Sequence, residues 1–85
     1  MKIRQDSSLL WRVLDDEIVA LDLKSSTYLR LNHTGAVLWQ KLRDAASREA
    51  LVGALVERYD IAEERAREDV DMFLADLEKS GLLET

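Results

Sequence analysis

The sequence predicts an α+β domain in which a three-stranded antiparallel β-meander is followed by three helices. Three observations lead to it. Between Leu9 and Leu31, short β-rich runs are separated by polar turn residues. From Asn32 onward, apolar residues recur at helical spacing. The change of period falls within Tyr28-Leu29-Arg30-Leu31-Asn32-His33-Thr34-Gly35-Ala36-Val37-Leu38-Trp39, where an alternating strand ends at an Asn-x-Thr-Gly boundary.

The first strand is Leu9 to Leu14, closed by the acidic turn Asp15-Asp16-Glu17. Ile18 to Leu23 is the second, broken by Lys24-Ser25-Ser26, and Thr27 to Leu31 is the third. Sequential strands in a meander pair with their neighbours, so the third lies at an edge with one row of backbone N–H and C=O groups unpaired. In the first helix Ala36, Leu38, Trp39 and Leu42 form the apolar stripe, with Asn32 or Thr34 as N-cap. Ser47 precedes a second helix carrying Leu51, Leu55, Val56 and Tyr59 on one face. Gly53 inside it should cost about 1 kcal/mol relative to alanine, and a close helix contact would account for it. Asp60 and Glu63 have capping-box spacing for a third helix. Its stripe is Ala66, Val70, Phe73, Leu74 and Leu77, ending at Ser80-Gly81. Gly81 suits a left-handed C′ position, from which Leu82 folds back on the helix.

Composition narrows the function classes. The chain has 85 residues, 47% of them apolar, which suits one compact domain with a modest core. We take residues 1–85 as that domain, with its core from about Leu9 to Leu83. Twelve basic residues against seventeen acidic ones give a net charge of -5. That sign opposes the counterion release that drives nucleic-acid binding. The absence of cysteine removes disulfides, thiolate metal sites and cysteine nucleophiles. No apolar run is long enough to span a membrane, and Met1-Lys2-Ile3-Arg4-Gln5-Asp6 leads into no signal-peptide core. A cytoplasmic protein without membrane contact is expected.

Chemistry-bearing residues are sparse. His33 is the sole histidine, and one histidine makes neither a triad nor a metal site, so it reads as a surface residue at a helix start. Trp11 and Trp39 lie on apolar periodicities and read as core. Thr34-Gly35 reads as a cap and close backbone approach rather than a phosphate cradle. The series Glu63, Glu64, Glu68, Asp69, Asp71 and Asp76 reads mostly as a solvated helix face. No catalytic residue, metal or cofactor is expected, and the chain reads as a binding module rather than an enzyme.

Tyr28-Leu29-Arg30-Leu31-Asn32-x-Thr34-Gly35-x-x-Leu38-Trp39 resembles the strand-to-helix signature of PqqD-like proteins. Leu51-x-x-x-Leu55-x-x-x-Tyr59-Asp60 and Asp69-Val70-x-x-Phe73-Leu74-x-x-Leu77-x-x-x-Gly81-Leu82 are similar to that family's later pattern. One departure is Ala62, where relatives often carry a capping residue; the cap is therefore assigned to Asp60. The resemblance implies a RiPP recognition element, a winged-helix-like domain that grips the leader segment of a ribosomally made precursor peptide and performs no catalysis. A chain of this size, with little before or after the domain, resembles most the stand-alone leader-binding protein of lasso-peptide maturation. Its partners would be the precursor peptide and a leader peptidase or other modifying enzyme. The alternative within the family is a peptide chaperone for a radical SAM enzyme in quinone-cofactor biosynthesis. Outside it stand a winged-helix DNA-binding regulator, disfavoured by the acidity of the third helix, and a passive dimerisation domain.

The binding mode the resemblance implies is strand addition to the third strand, with backbone bonds setting register and side-chain pockets giving specificity. The expected peptide-binding residues are Ser26, Thr27, Tyr28, Leu29, Arg30 and Leu31 on the strand. Asp69, Val70, Met72, Phe73, Asp76 and Leu77 form the opposing wall on the third helix. Met72 can adapt to an apolar anchor, and the two aspartates can hold a basic side chain or a tyrosine hydroxyl.

Overall fold

The computed structural model describes residues 1–84. In chain order they form β1 (Lys2–Ile3), β2 (Leu9–Leu14), β3 (Glu17–Asp22) and β4 (Thr27–Leu31). These are followed by α1 (His33–Arg43), α2 (Arg48–Tyr59), α3 (Glu63–Lys79) and β5 (Leu83–Glu84). β2, β3 and β4 make the antiparallel meander in that spatial order, so the expected strands and the α+β class are found with shifts of a residue at most. Leu23 falls outside β3 and is exposed.

One sheet face packs against the helices and the other faces outward, as a period of two demands. Leu9, Ile18, Ala20 and Asp22 are buried on the inner face, beside half-buried Trp11, Leu29 and Leu31. The helices contribute Ala36, Leu38, Trp39 and Leu42 from α1, Leu51, Val52 and Leu55 from α2, and Ala66, Val70, Leu74 and Leu77 from α3. Trp39 is fully buried; Trp11 is half-buried and meets it edge to face, with ring centroids 5.7 Å apart.

Two of the three helix starts carry side-chain caps, and of Asn32 and Thr34 it is Asn32 that caps α1. Asn32 accepts from the Gly35 N–H at 3.1 Å, and Ser47 accepts from the Ala50 N–H at 3.1 Å. The third carries none. Asp60 adopts a left-handed conformation, φ 51° and ψ 44°, and closes the end of α2 by donating its N–H to the Val56 carbonyl. α3 is preceded by Ala62, which makes no side-chain cap. The capping-box assignment to Asp60 and Glu63 is therefore corrected: three residues, Asp60, Ile61 and Ala62, separate the helices, and Asp60 is spent on ending α2. At the other end of α3, Gly81 has φ 71°. Its N–H bonds to the Glu78 carbonyl, and the Leu82 N–H bonds to that of Leu77. This is a Schellman motif, with Leu82 buried against the core.

Gly53 also departs from expectation. A Cβ there would meet nothing within 4 Å, so no close helix contact requires glycine. The core, moreover, starts before Leu9. Ile3 is fully buried, and β1 pairs with β5 through Ile3–Leu83 and Lys2–Glu84. Arg4 fastens this corner. It donates to both Asp22 carboxylate oxygens, at 2.8 and 3.3 Å, to Ser8 Oγ and to the Gly81 carbonyl. These bonds hold the Asp22 carboxyl at about 2, below its ordinary value of 3.8, although burial pushes the other way.

Candidate functional site

The β4 edge offers a defined set of free backbone groups. In an antiparallel ladder, alternate residues exchange both of their bonds with one neighbour. The Leu23 N–H bonds to the Ser8 carbonyl, which fixes the phase: odd residues of β3 face β2 and even residues face β4. Ile18, Ala20 and Asp22 therefore bond to Leu31, Leu29 and Thr27. Tyr28 and Arg30 are left with N–H and C=O groups pointing away from the sheet. Among the described residues no strand pairs with them.

Beside this edge runs an open groove of about 440 Å³. Leu31 and Arg30 form one side, Asp69, Met72 and Phe73 of α3 the other, and the first turns of α1 the floor through Asn32, Thr34, Gly35 and Leu38. The strand-to-helix junction builds this floor. Asn32 turns the chain from β4 directly into α1, and Gly35 lets the helix start lie against the strand. A Cβ at Gly35 would stand 3.3 Å from the Leu31 Cβ, tighter than ordinary contact. Met72 projects 68% exposed beside half-buried Phe73, so the groove offers apolar surface to a visitor.

Charges mark the rim. The Arg30 guanidinium pairs with Glu17 at 2.8 Å, which raises its pKa further and fixes its charge. Asp69 lies 3.8 Å from the exposed Arg65 one turn earlier, and Asp76 forms no ion pair among the described residues. His33 is exposed at the start of α1, 3.8 Å from Asp16, as its place in the sequence suggested.

The expected site residues divide by position. Arg30, Leu31, Asp69, Met72 and Phe73 meet around the groove. Thr27, Tyr28 and Leu29 lie along the strand, while Ser26 sits in the preceding turn with φ 55°. Asp76 is exposed one turn further along α3. Val70 and Leu77 are buried in the core, so they brace the wall from behind and present no surface. Asn32, Thr34, Gly35 and Leu38 line the groove without having been singled out as binding residues. Their cap and stripe patterns accounted for them fully as structure, which concealed the second role.

A larger depression of about 620 Å³ lies on the opposite flank of α1, next to the end of β2. Its rim mixes Asp15, Asp16 and Asp44 with Lys41 and Arg58. The groove beside β4 has two charged side chains around a mainly apolar lining, the composition expected of a pocket for side-chain anchors. Among the described residues no helix is long and apolar enough to cross a membrane. Among the described residues no cluster of His, Asp and Glu could hold a metal ion.

A protein-family model described as coenzyme PQQ synthesis protein D (PqqD) matches residues 17–83. Among solved structures, TbiB1 in complex with the TbiA(beta) leader peptide is similar, with a TM-score of 0.87 and 31% sequence identity over 99% of this chain and 95% of that one. A lasso peptide synthetase B1 complexed with the leader peptide gives a TM-score of 0.83 and 25% identity, covering 100% of both chains. No curated protein matches the chain.

Proposed function

The chain belongs to the coenzyme PQQ synthesis protein D (PqqD) family, and from that premise we propose that it is a non-catalytic module for a leader peptide. The leader adds as a further strand to β4, against α3, and the module presents the precursor to the enzyme that processes it in lasso-peptide biosynthesis. The observation that carries this reading is the free edge at Tyr28 and Arg30 lying alongside an apolar groove. An unpaired edge without proline, and with one charged side chain, invites strand addition. The two similar structures, each solved with a leader peptide, favour the lasso setting over the quinone pathway in the family's description.

The magnitudes fit a carrier that must later let go. Four backbone bonds at about 0.5–1.5 kcal/mol each and two apolar anchors at about 1.5–3 kcal/mol each total ~5–12 kcal/mol. Ordering a flexible leader removes several kcal/mol of that. Dissociation constants from high nanomolar to micromolar follow.

The test is a titration of isotope-labelled protein with synthetic leader peptides of lasso-peptide precursors. The amides of Tyr28 and Arg30 and the Met72 methyl should shift together. Shifts confined to Trp11 and Val13, on the opposite edge of the sheet, would overturn the assignment.

A further inference from the structure

The depression of about 620 Å³ on the other flank of α1 has no part in the site described so far. Val37, Ala50 and half-buried Tyr59 line it from the helices, and Val13, 45% exposed, from the sheet. Val13 brings a free strand edge with it. The odd residues of β3 bond to Leu10, Arg12 and Leu14 of β2, so the Val13 N–H and C=O point away from the sheet. The charges around the rim are unevenly paired. Asp16 lies 3.8 Å from His33, and Asp44 lies 3.8 Å from Arg43. Among the described residues Lys41, Arg58 and Asp15 form no ion pair, which leaves two free cations against one carboxylate.

We propose that this depression is a second subsite for the precursor peptide, taking an acidic segment with an apolar anchor that runs on from the added strand past Leu31. The inference rests on the leader-binding reading and deepens it. Three features select the occupant. The free backbone pair at Val13 suits an extended polypeptide. The surplus of unpaired cations selects carboxylates on it. The two hollows also meet at the start of α1: Asn32 and Thr34 line the leader groove, whereas His33 and Val37 line the second depression. A helix with its side chains is about 10–12 Å across, so about four extended residues carry a chain over that turn. Once the strand is added at β4, the second contact is intramolecular, and it raises affinity without any stronger strand pairing.

The test compares synthetic leader peptides of lasso-peptide precursors, at full length and cut back to the strand-forming segment, by fluorescence anisotropy. A spin label at either peptide end identifies the end that passes Leu31, by broadening the Asn32 amide. Removing the residues at that end should weaken binding about 10-fold or more and abolish the shifts of the Val37 and Ala50 methyls. Trimming the other end should do neither. Lys41→Gln with Arg58→Gln changes two exposed helix positions where glutamine is well tolerated, and thermal melts verify folding. This variant should bind the full-length leader about 5-fold more weakly and the strand segment as the natural chain does. Full-length affinity unchanged by the trimming or by the substitutions would overturn the proposal. So would an equal loss with the strand segment, or a dimer of the free chain that the substitutions abolish, which would assign the depression to a second copy. Absence of leader binding by the unaltered chain would instead overturn the reading beneath.

Discussion

At the residue scale two positions carry each other's amino acid. Gly53 sits mid-helix with open space around it, while Ala45, just past α1, is held at φ 70°. Glycine costs about 0.5–1 kcal/mol in a helix interior, and a left-handed non-glycine residue costs about 1–2 kcal/mol. Gly53→Ala and Ala45→Gly should each raise stability by roughly 0.5–1 kcal/mol, read as a higher urea midpoint at unchanged slope. A fall for Gly53→Ala would mean the glycine serves something other than packing. The sequence showed the oddity at 53 but not its cause, because glycine looks the same beside a neighbouring helix and beside solvent. Asp22 makes a second prediction. Its carboxyl is held at about 2, chiefly by the Arg4 guanidinium, against an ordinary 3.8. A carboxyl depressed in the folded state contributes stability above its unfolded pKa and loses it as pH falls through the folded value. Asp22→Asn should therefore be less stable than the natural chain at neutral pH. That gap should close as pH drops from about 4 to about 2; a gap that persists at pH about 2 would show the carboxyl to act by packing alone.

At the element scale, legibility followed pattern length. Five- and six-residue alternations and eleven- to seventeen-residue stripes are readable, and polar residues mark the starts of α1 and α2, although the choice between Asn32 and Thr34 needs the structure. β1 and β5 are not, since two residues have no period; each exists because the other end of the chain pairs with it. The start of α3 failed for a different reason. Asp60 satisfies a local pattern, yet tertiary geometry uses it to end α2. The alternation along β4 gives this scale its own prediction. Proline is tolerated where an edge N–H faces outward and disruptive where it bonds into the ladder. Arg30→Pro should leave the melting transition near that of the natural chain, because the ion pair it loses is exposed and worth little. It should abolish leader binding by removing one donor and placing ring atoms in the path of the added strand. Leu29→Pro should unfold the protein instead. Retained binding in Arg30→Pro, measured by fluorescence anisotropy with a labelled leader, would place the peptide elsewhere.

At the scale of the whole molecule, the site is assembled from parts whose separate reasons are structural. α3 is held against α2 and the shared core by Ala66, Val70, Leu74 and Leu77, and its distance from β4 determines the width of the groove. Arg4 and the β1–β5 pair fix the far end of that helix through Gly81 and Leu83. A sequence pattern can name such residues but not the distance between the elements they join, which is why the strand was readable as an edge and the groove's floor was not. The same construction couples binding to stability. A small domain has little stability to spare, and a ligand that binds only the folded form adds RT ln(1 + [L]/Kd), about 2.7 kcal/mol at a hundredfold excess over Kd. For a chain of this size, that should raise the melting temperature on the order of 10 °C. The increment should vanish in Arg30→Pro. In Leu10→Thr and in Leu21→Thr, two exposed positions on the sheet face away from the core, it should persist in full, since they retain both the β4 edge and the groove. Differential scanning fluorimetry with the leader at rising concentrations measures all three. A rise that saturates equally in Arg30→Pro would show that the peptide stabilises the fold without using the β4 edge.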